Sequence, residues 1–264
     1  MRALLRPVAV LTLALTTLAA CAGDDASTAP EMPEPTPSPN PPSSSAYVVT
    51  GRVTNADGAP IAGATVVANN QYYYSASVSG TSGADGSYRL QLSDTPGTWS
   101  VSASIVRTFD GTQYRIALAP DSAGPFAGPT GAVRSFVWHT RGRRADGGYY
   151  GKPVIAYPAL EEGNYDLVMT DVELTLTPVA MLDGTAGQVI TGRLVATADG
   201  DAIRDVPIGR YTITAREARA GEPPRPLHVR LRNQGSYVPA LTTGFVTPYG
   251  TNLDVAQIVL QVRR

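Results

Sequence analysis

The sequence is poor in the side chains that metal and nucleophile chemistry require. Its 264 residues include one cysteine, Cys21, and two histidines, His139 and His228. A zinc site needs several His, Cys or carboxylate ligands at short spacings, and these two histidines are far apart in the chain. A Gly-x-Ser-x-Gly nucleophile elbow is absent as well. We therefore predict a protein that is not an enzyme and has no metal and no cofactor; an unrecognised hydrolase is the less favoured alternative.

An excess of charge of one sign is also missing. The chain has 21 Lys and Arg residues against 22 Asp and Glu residues, a net charge of −1, and no run of basic side chains. Proteins that bind nucleic acids usually carry a basic patch that neutralises backbone phosphates. The charge balance therefore argues against a nucleic-acid partner.

Apolar residues form one extended run, which lies near the start of the chain. Arg2 and Arg6 precede residues 8–20, which are apolar apart from three threonines. A basic start, a short apolar core and small residues before a cut site are typical of a secretory signal. A bilayer-spanning helix would need roughly 20 apolar residues, so this run is too short to span stably. Residues 1–20 are therefore predicted to be a signal peptide.

The residues Leu18-Ala19-Ala20-Cys21 resemble the bacterial lipobox. In a lipobox the cysteine sulfur receives a diacylglycerol before cleavage makes that cysteine the new N-terminus. Cys21 has no disulfide partner that would explain it otherwise; a chance cysteine after an ordinary signal peptide is the alternative. Because Ala22 stands where an aspartate would favour inner-membrane retention, we expect an exported protein, anchored by lipid at Cys21 to the outer membrane or cell surface.

Residues 21–46 are predicted to be the lipidated cysteine and a disordered linker. The segment is rich in proline, serine and threonine, and such a composition cannot bury enough apolar surface to fold. Proline stiffens a chain toward extended polyproline II at about 3.1 Å per residue, so this linker could reach about 75 Å. It would hold the folded part clear of the lipid headgroups.

Turn-forming residues are abundant. Glycine occurs 26 times and proline 22 times, and Asp-Gly dipeptides are spread along the chain. Asp-Gly favours tight turns between strands, and apolar patterns with the period of a helix are nearly absent after the N-terminal segment. The predicted fold is therefore all-β, with short strands and tight turns.

Four motifs follow one another between residues 47 and 104: Gly51-Arg52-Val53, Asp57-Gly58-x-Pro60-Ile61-x-Gly63-Ala64-x-Val66, Asp85-Gly86-x-Tyr88 and Pro96-Gly97-x-Trp99-x-Val101. This order resembles the carboxypeptidase regulatory-like domain, which usually has tyrosine where Trp99 stands. The resemblance implies a transthyretin-like or Ig-like β-sandwich. In that fold the Asp-Gly pairs would supply turn positions with positive φ, and Gly63 would allow a bend before the second strand.

We predict two domains after the linker. Residues 47–186 would be the carboxypeptidase regulatory-like β-sandwich, with residues 140–164 as an inserted loop. Residues 187–264 would be a second small β-sandwich, because Gly192-Arg193-Leu194 repeats the pattern of Gly51-Arg52-Val53 and further strands follow. A diverged internal repeat and ordinary β-sandwich patterning explain the similarity of these two motifs almost equally well. The competing arrangement is one larger sandwich in which residues 255–262 pair with a strand of the first unit.

Two tyrosine clusters are the candidate ligand-binding residues: Tyr72, Tyr73 and Tyr74, and then Tyr149 and Tyr150. Tyrosines on loops offer flat faces to sugar rings or proteins at low entropy cost; tyrosines that cover the core from an edge strand are the alternative.

The favoured function is a lipid-anchored structural or binding module of the cell envelope, a monomer that contacts membrane lipid through Cys21 and an envelope protein or glycan. A carbohydrate-binding accessory lipoprotein is the second hypothesis.

Overall fold

The computed structural model describes residues 45–160, 164–248 and 252–264. The predicted signal peptide, Cys21 and nearly all of the predicted linker lie outside the described residues. No helix in the described ranges is long and apolar enough to cross a bilayer. Helical structure in these ranges consists of two single 3-10 turns, at Gly128–Thr130 and Met169–Asp171.

Almost all regular structure in the described ranges is β-strand, which confirms the predicted all-β fold. The strands are β1 Val48–Asn55, β2 Thr65–Asn70, β3 Ser77–Thr81, β4 Ser87–Gln91, β5 Thr98–Phe109, β6 Thr112–Ala117, β7 Ala119–Pro120, β8 Phe126–Ala127, β9 Ala132–Val133, β10 Phe136–Trp138, β11 Lys152–Pro158, β12 Val172–Met181, β13 Ile190–Arg193, β14 Val195–Thr197, β15 Gly200–Val206, β16 Gly209–Glu217, β17 Arg225–Leu231, β18 Gln234–Val238, β19 Leu241–Gly244 and β20 Ile258–Arg263.

Strands β1–β10 form two five-stranded sheets, which we call the N-terminal sandwich. One sheet has the order β4-β1-β10-β7 with β9 also on β1, and the other has the order β3-β2-β5-β6 with β8 on β5. The apolar side chains of alternating positions are buried between the sheets, as Tyr88 and Leu90 on β4 illustrate. Trp99 on β5 and Phe136 on β10 are among the largest fully buried side chains.

The motif glycine Gly51 is required by a close approach of the backbone. A Cβ atom at this position would lie 1.7 Å from the carbonyl oxygen of Arg134. The same oxygen accepts a hydrogen bond from the Tyr88 hydroxyl at 2.6 Å, so the segment before β10 lies directly over β1. Only a residue without a side chain leaves room for this packing.

Strands β11–β20 form a single ten-stranded sheet, which we call the C-terminal sheet. Its main path is β13-β12-β16-β17-β20-β11-β15-β14, with β18 on β17 and β19 on β16. Inward-facing residues alternate with solvent-facing ones, for example along β20, where every second residue is buried. The buried side chains of this sheet and of the N-terminal sandwich belong to one continuous apolar cluster.

The predicted division at residue 187 does not follow the sheets. Strand β12, which precedes residue 187, pairs with β13 and β16, which follow it. Strand β11 likewise pairs with β15 and, in parallel, with β20. The two strand sets instead separate between β10 and β11. Residues 258–262, within the predicted strand 255–262, thus pair with β11, which was predicted to belong to the first domain, as in the competing arrangement.

The predicted insertion at residues 140–164 is also corrected, because it contains the central strand β11. Val154, Ile155 and Ala156 are all buried, so this strand has apolar residues on both faces and no alternating pattern. A continuous apolar run of this kind is typical of a strand covered on both sides. The segment was predicted to be a loop because it lacks the alternating pattern of a half-buried strand.

Candidate functional site

Residues 142–150 form a tight hairpin that leads into β11. Arg143 and Tyr149 face each other across an isolated antiparallel bridge. The amide of Tyr150 donates to the carbonyl of Gly142 at 2.9 Å. The tip is an Asp-Gly turn, in which Gly147 has a φ of 87°. One carboxylate oxygen of Asp146 accepts a hydrogen bond from the Gly148 amide, and this bond holds the pKa of Asp146 below its usual value.

Asp205 fixes the base of this hairpin. Both of its carboxylate oxygens lie 2.8 Å from the amide nitrogen of Gly142, and one also accepts the amide of Gly151 at 3.0 Å. The guanidinium of Arg141 lies 3.8 Å from the same carboxylate. Asp205 has a φ of 59°, a conformation that aspartate tolerates better than most residues. One side chain of β15 therefore ties together both ends of the hairpin.

Beside the hairpin lies an open cleft of about 690 Å³. Its lining combines one aromatic ring with charged and amide groups from three separate segments: Tyr149, Lys152, Asp199, Arg204, Asp254 and Gln257. The guanidinium of Arg143 lies 5.5 Å from the centre of the Tyr149 ring, a cation–π distance that restrains the ring. The cleft thus offers a flat aromatic face with hydrogen-bonding groups around it.

Lys152, the first residue of β11, contributes a charged side chain to the lining of the cleft. Its Nζ atom donates to the carbonyl of Asp254 at 2.8 Å. Burial lowers the pKa of Lys152, and the positive charge of Arg144 lowers it further. The donor is therefore held in place, with part of its hydration removed, at the start of β11 in the C-terminal sheet.

The two neighbouring tyrosines of the hairpin face different surroundings. Tyr149 lines the large cleft, whereas the Tyr150 ring lies 5.6 Å from that of His139 and 5.8 Å from the guanidinium of Arg144. Burial raises the pKa of the Tyr150 hydroxyl. Adjacent residues on an extended strand point in opposite directions, so the structure places only Tyr149 in the cleft.

Tyr72, Tyr73 and Tyr74 lie on the loop between β2 and β3. Their exposed fractions are 73%, 51% and 107%, so they do not cover the core as edge-strand tyrosines would. Asn70 is buried, and its Oδ1 atom accepts the amides of Tyr72 at 2.9 Å and Tyr73 at 3.1 Å. These two bonds restrain the start of the loop, and the three rings are exposed to solvent.

Sequence reasoning found Tyr149 but missed the residues that surround it. Asp205, Asp254 and Gln257 come from segments about 50 to 100 residues further along the chain. Nothing in their local sequence distinguishes them from other surface residues. Only the pairing of β11 with β15 and β20 brings them to the hairpin.

Metal chemistry has no visible site in the residues that the structure describes. Within 45–160, 164–248 and 252–264, no three His, Cys, Asp or Glu side chains are grouped as metal ligands. His139 packs on Tyr150. His228 is exposed on β17, opposite Arg263 of β20.

Residues 48–124 match the model of the carboxypeptidase regulatory-like domain. This confirms the resemblance and extends it through β6 and β7, so the N-terminal sandwich contains a carboxypeptidase regulatory-like domain. No curated protein sequence matches the chain significantly.

Several solved structures, including those of two pilus proteins, are similar to this chain at low identity. A streptococcal ancillary pilin shares 11% identity over 82% of this chain and 62% of its own length, with a TM-score of 0.25. A C-terminal fragment of the pilus adhesin SpaC from Lactobacillus rhamnosus GG shares 14% identity over 81% of this chain and 96% of its own, with a TM-score of 0.25. The Bacillus anthracis TIE protein shares 10% identity over 83% of this chain and 51% of its own, with a TM-score of 0.28.

Proposed function

We propose that this chain is a lipid-anchored, non-catalytic binding module of the bacterial cell envelope, and that its ligand is an oligosaccharide bound in the cleft beside Tyr149. The observation that carries the proposal is the fixed hairpin at residues 142–150. Asp205 holds both ends of this hairpin, so Tyr149 is presented without a large loss of conformational entropy on binding.

The chemistry of the cleft favours a sugar over an apolar ligand. A sugar ring has an apolar face that packs on an aromatic ring, and hydroxyl groups that both donate and accept hydrogen bonds. Tyr149 supplies the ring, Arg204 and Lys152 supply donors, and Asp199 supplies an acceptor. The cleft is open, which suits an oligosaccharide that extends beyond it more than a fully enclosed small molecule.

The anchor is proposed from the sequence. The residues Leu18-Ala19-Ala20-Cys21 resemble a lipobox, and the first described residue, Ser45, follows the proline-rich segment directly. Each buried CH₂ group of an acyl chain contributes about 0.8 kcal/mol to membrane binding, so several acyl chains on one cysteine would anchor the protein firmly. A protein held in this way would bind glycans of the envelope around it.

Binding of residues 45–264 to an array of envelope glycans, including peptidoglycan fragments, tests the proposal. We expect binding to at least one glycan, confirmed by titration calorimetry, and loss of that binding in Tyr149→Ala. Tyr165→Ala is the matched control, because Tyr165 is a 76% exposed tyrosine that does not line the cleft. Equal loss in both variants, or no binding to any glycan, would overturn the glycan proposal.

A further inference from the structure

Four segments meet at one end of the N-terminal sandwich, which we call the N-terminal pole: residues 45–47, 71–76, 93–97 and 126–131. The start of β1 lies beside the end of β4, because Val48 pairs with Gln91. The end of β2 lies beside the start of β5, because Asn70 pairs with Trp99. The amide of Tyr47 donates to the carbonyl of Gly128 at 2.9 Å. The chain thus enters the sandwich beside the Tyr72–Tyr74 loop.

The opposite end of the N-terminal sandwich packs against the C-terminal sheet. Strand β10 runs parallel to β1 and ends where Trp138 lies opposite Asn55, and the chain continues from there to the hairpin. On β6, the amide of Arg115 donates to the carbonyl of Leu253 at 3.0 Å. The N-terminal pole therefore lies at the other end of the N-terminal sandwich from this contact, and Asp254, which lines the proposed glycan cleft, directly follows Leu253.

The composition of the N-terminal pole is unlike that of the whole chain. Charged residues make up 16% of the sequence, but Asp94 is the one charged residue in the four segments of the pole. The pole carries Tyr47 and the three exposed tyrosines of the β2–β3 loop. Arg134 lies beside the pole, with its guanidinium 5.4 Å from the centre of the Phe126 ring. The pole is thus nearly uncharged and rich in aromatic rings.

We propose that the N-terminal pole rests on the bilayer that holds Cys21, with the rings of Tyr72, Tyr73 and Tyr74 at the level of the lipid headgroups. Tyrosine is enriched at membrane–water interfaces because its ring is apolar and its hydroxyl remains hydrated. This inference rests on the proposed lipid anchor. It adds an orientation: the pole faces the lipid, and the contact of Arg115 with Leu253, which adjoins the Tyr149 cleft, lies at the end of the N-terminal sandwich away from the lipid.

The chain enters the N-terminal sandwich at the pole, and this position favours lipid over another binding partner for the pole. Residues 22–44 separate Cys21 from Ser45, so this one segment joins the anchor to the pole. A tether raises the local concentration of the surface nearest to its attachment point. The predicted reach of this segment allows other surfaces to approach the bilayer as well, so the tether alone does not fix the orientation. The preference for the pole over other surfaces comes from its exposed tyrosines and its near absence of charge.

Fluorescence of the full acylated chain in vesicles tests the orientation. Cys21 is the single cysteine of the sequence, and acylation removes its thiol, so Tyr74→Cys creates one site for a polarity-sensitive fluorophore. The matched control is Tyr165→Cys, because Tyr165 is also strongly exposed and follows the end of β11 at Pro158. That end pairs with Val262 at the end of β20, whereas the segment before β20 contacts β6 through Leu253. The vesicles contain phosphatidylethanolamine, phosphatidylglycerol and a phospholipid with a nitroxide on its headgroup.

We expect a blue shift and strong nitroxide quenching of the fluorophore at position 74, and neither change at position 165. Quenching at neither position, with acyl mass present on Cys21, would overturn the orientation and leave the lipid anchor intact. Equal quenching at both positions would overturn it as well. Protein without acyl mass on Cys21 that does not float with vesicles would overturn the anchor and, with it, this inference.

A second variant separates the role of the tyrosines from that of the tether. A fluorophore at Asp94→Cys reports on the neighbouring loop of the same pole and leaves the three tyrosines in place. We expect Y72S/Y73S/Y74S to reduce nitroxide quenching at position 94, while the acyl mass and the circular dichroism spectrum remain unchanged. Unchanged quenching would show that the tether alone holds the pole near lipid, and the proposed tyrosine contact would be wrong.

Discussion

The hydroxyl of Tyr114 on β6 donates a hydrogen bond to the carbonyl of Phe245, 2.7 Å away and 131 residues later in the chain. Both residues are almost completely buried, and burial raises the pKa of the Tyr114 hydroxyl. This bond joins the N-terminal sandwich to the segment after β19. The N-terminal sandwich and the C-terminal strands are thus joined by a specific polar contact as well as by apolar packing.

Tyr114→Phe removes this hydrogen bond and leaves the Phe245 carbonyl buried without its partner. An unsatisfied buried polar group costs about 1–3 kcal/mol, so we expect a loss of that size in the free energy of unfolding. Chemical denaturation of residues 45–264 measures it. Tyr157→Phe is the control, because the Tyr157 hydroxyl donates to the Asp199 carbonyl at an exposed site. Equal losses in the two variants would contradict the special role of Tyr114.

Gly51 and Gly192 give a second comparison, because they occupy the same place in the two Gly-Arg-apolar motifs. A Cβ atom at Gly51 would collide with the carbonyl of Arg134, whereas at Gly192 the nearest atom would be 3.8 Å away, on Ile203. Overpacking of this kind typically costs about 1–3 kcal/mol and sometimes more. We expect Gly51→Ala to lose at least that much stability in thermal denaturation. Gly192→Ala should be neutral or slightly stabilising, since alanine lowers the entropy of the unfolded chain.

The same comparison bears on the suspected internal repeat. If the two motifs had the same structural role, both alanine variants would destabilise the protein to a similar extent. The surroundings of the two glycines differ, because a Cβ atom at Gly192 would make an ordinary contact with Ile203, whereas at Gly51 it would collide with a crossing backbone. The structure thus favours shared β-sandwich patterning over a conserved repeat as the reason for the similarity of the two motifs.

Turns and alternating strands could be predicted from the sequence because their signals are local. The glycine of every Asp-Gly dipeptide has a positive φ, from 78° at Gly111 and Gly184 to 122° at Gly200. Gly63 has a φ of 72°, just before β2. Strand β11 could not be recognised, because its partners β15 and β20 lie far along the chain and its apolar run shows no period of two. The Asp205 contact depends on that pairing and was missed for the same reason.

Fragments test where the strand sets separate. Residues 45–139 contain both sheets of the N-terminal sandwich, and we expect this fragment to unfold cooperatively, with dispersed NMR amide signals. Residues 45–186 add β11 and β12 without β15, β16 and β20, with which those strands pair. We expect the longer fragment to aggregate or to show rapid amide exchange at residues 152–181, because unpaired apolar strands favour association. A well-protected β11 in that fragment would contradict this division.

Acid should weaken an ion cluster at the end of the C-terminal sheet. Glu217 is 2% exposed, and it pairs with Arg264 at 2.8 Å and Arg219 at 2.8 Å. Hydrogen bonds from Arg264 hold the pKa of Glu217 below its ordinary value of 4.5. Arg264 also donates to Asp166 and lowers the pKa of that carboxyl. A lowered pKa in the folded state means that the unfolded chain binds more protons in this range, so stability falls as pH decreases.

We therefore expect the stabilisation from Glu217 to be fully present above pH 4.5 and to be lost as the pH falls through its lower folded-state pKa. Glu217→Gln should reduce the dependence of the free energy of unfolding on pH in that range. Glu222→Gln serves as the control, since the Glu222 side chain is 43% exposed and pairs with Arg225 on the surface. An identical pH dependence in wild type and Glu217→Gln would refute the assignment.

The last prediction concerns Asp205 and the hairpin that presents Tyr149. The Asp205 side chain is 15% exposed and accepts the amides of Gly142 and Gly151. Hydrogen bonds to a charged group contribute about 1.5–3 kcal/mol, so Asp205→Ala should release the hairpin while the two strand sets stay folded. Hydrogen exchange should become faster at the amides of residues 142 and 151 and stay unchanged in β12 and β16. Asp205→Asn keeps one acceptor oxygen and the tolerance for positive φ, so it should give an intermediate increase in exchange rate.

If the cleft binds glycan as proposed, glycan affinity should fall from wild type to Asp205→Asn to Asp205→Ala, with Tyr149 still present. Fast exchange with unchanged affinity would mean that the hairpin is not needed for binding, and unchanged exchange in Asp205→Ala would mean that Asp205 does not hold it.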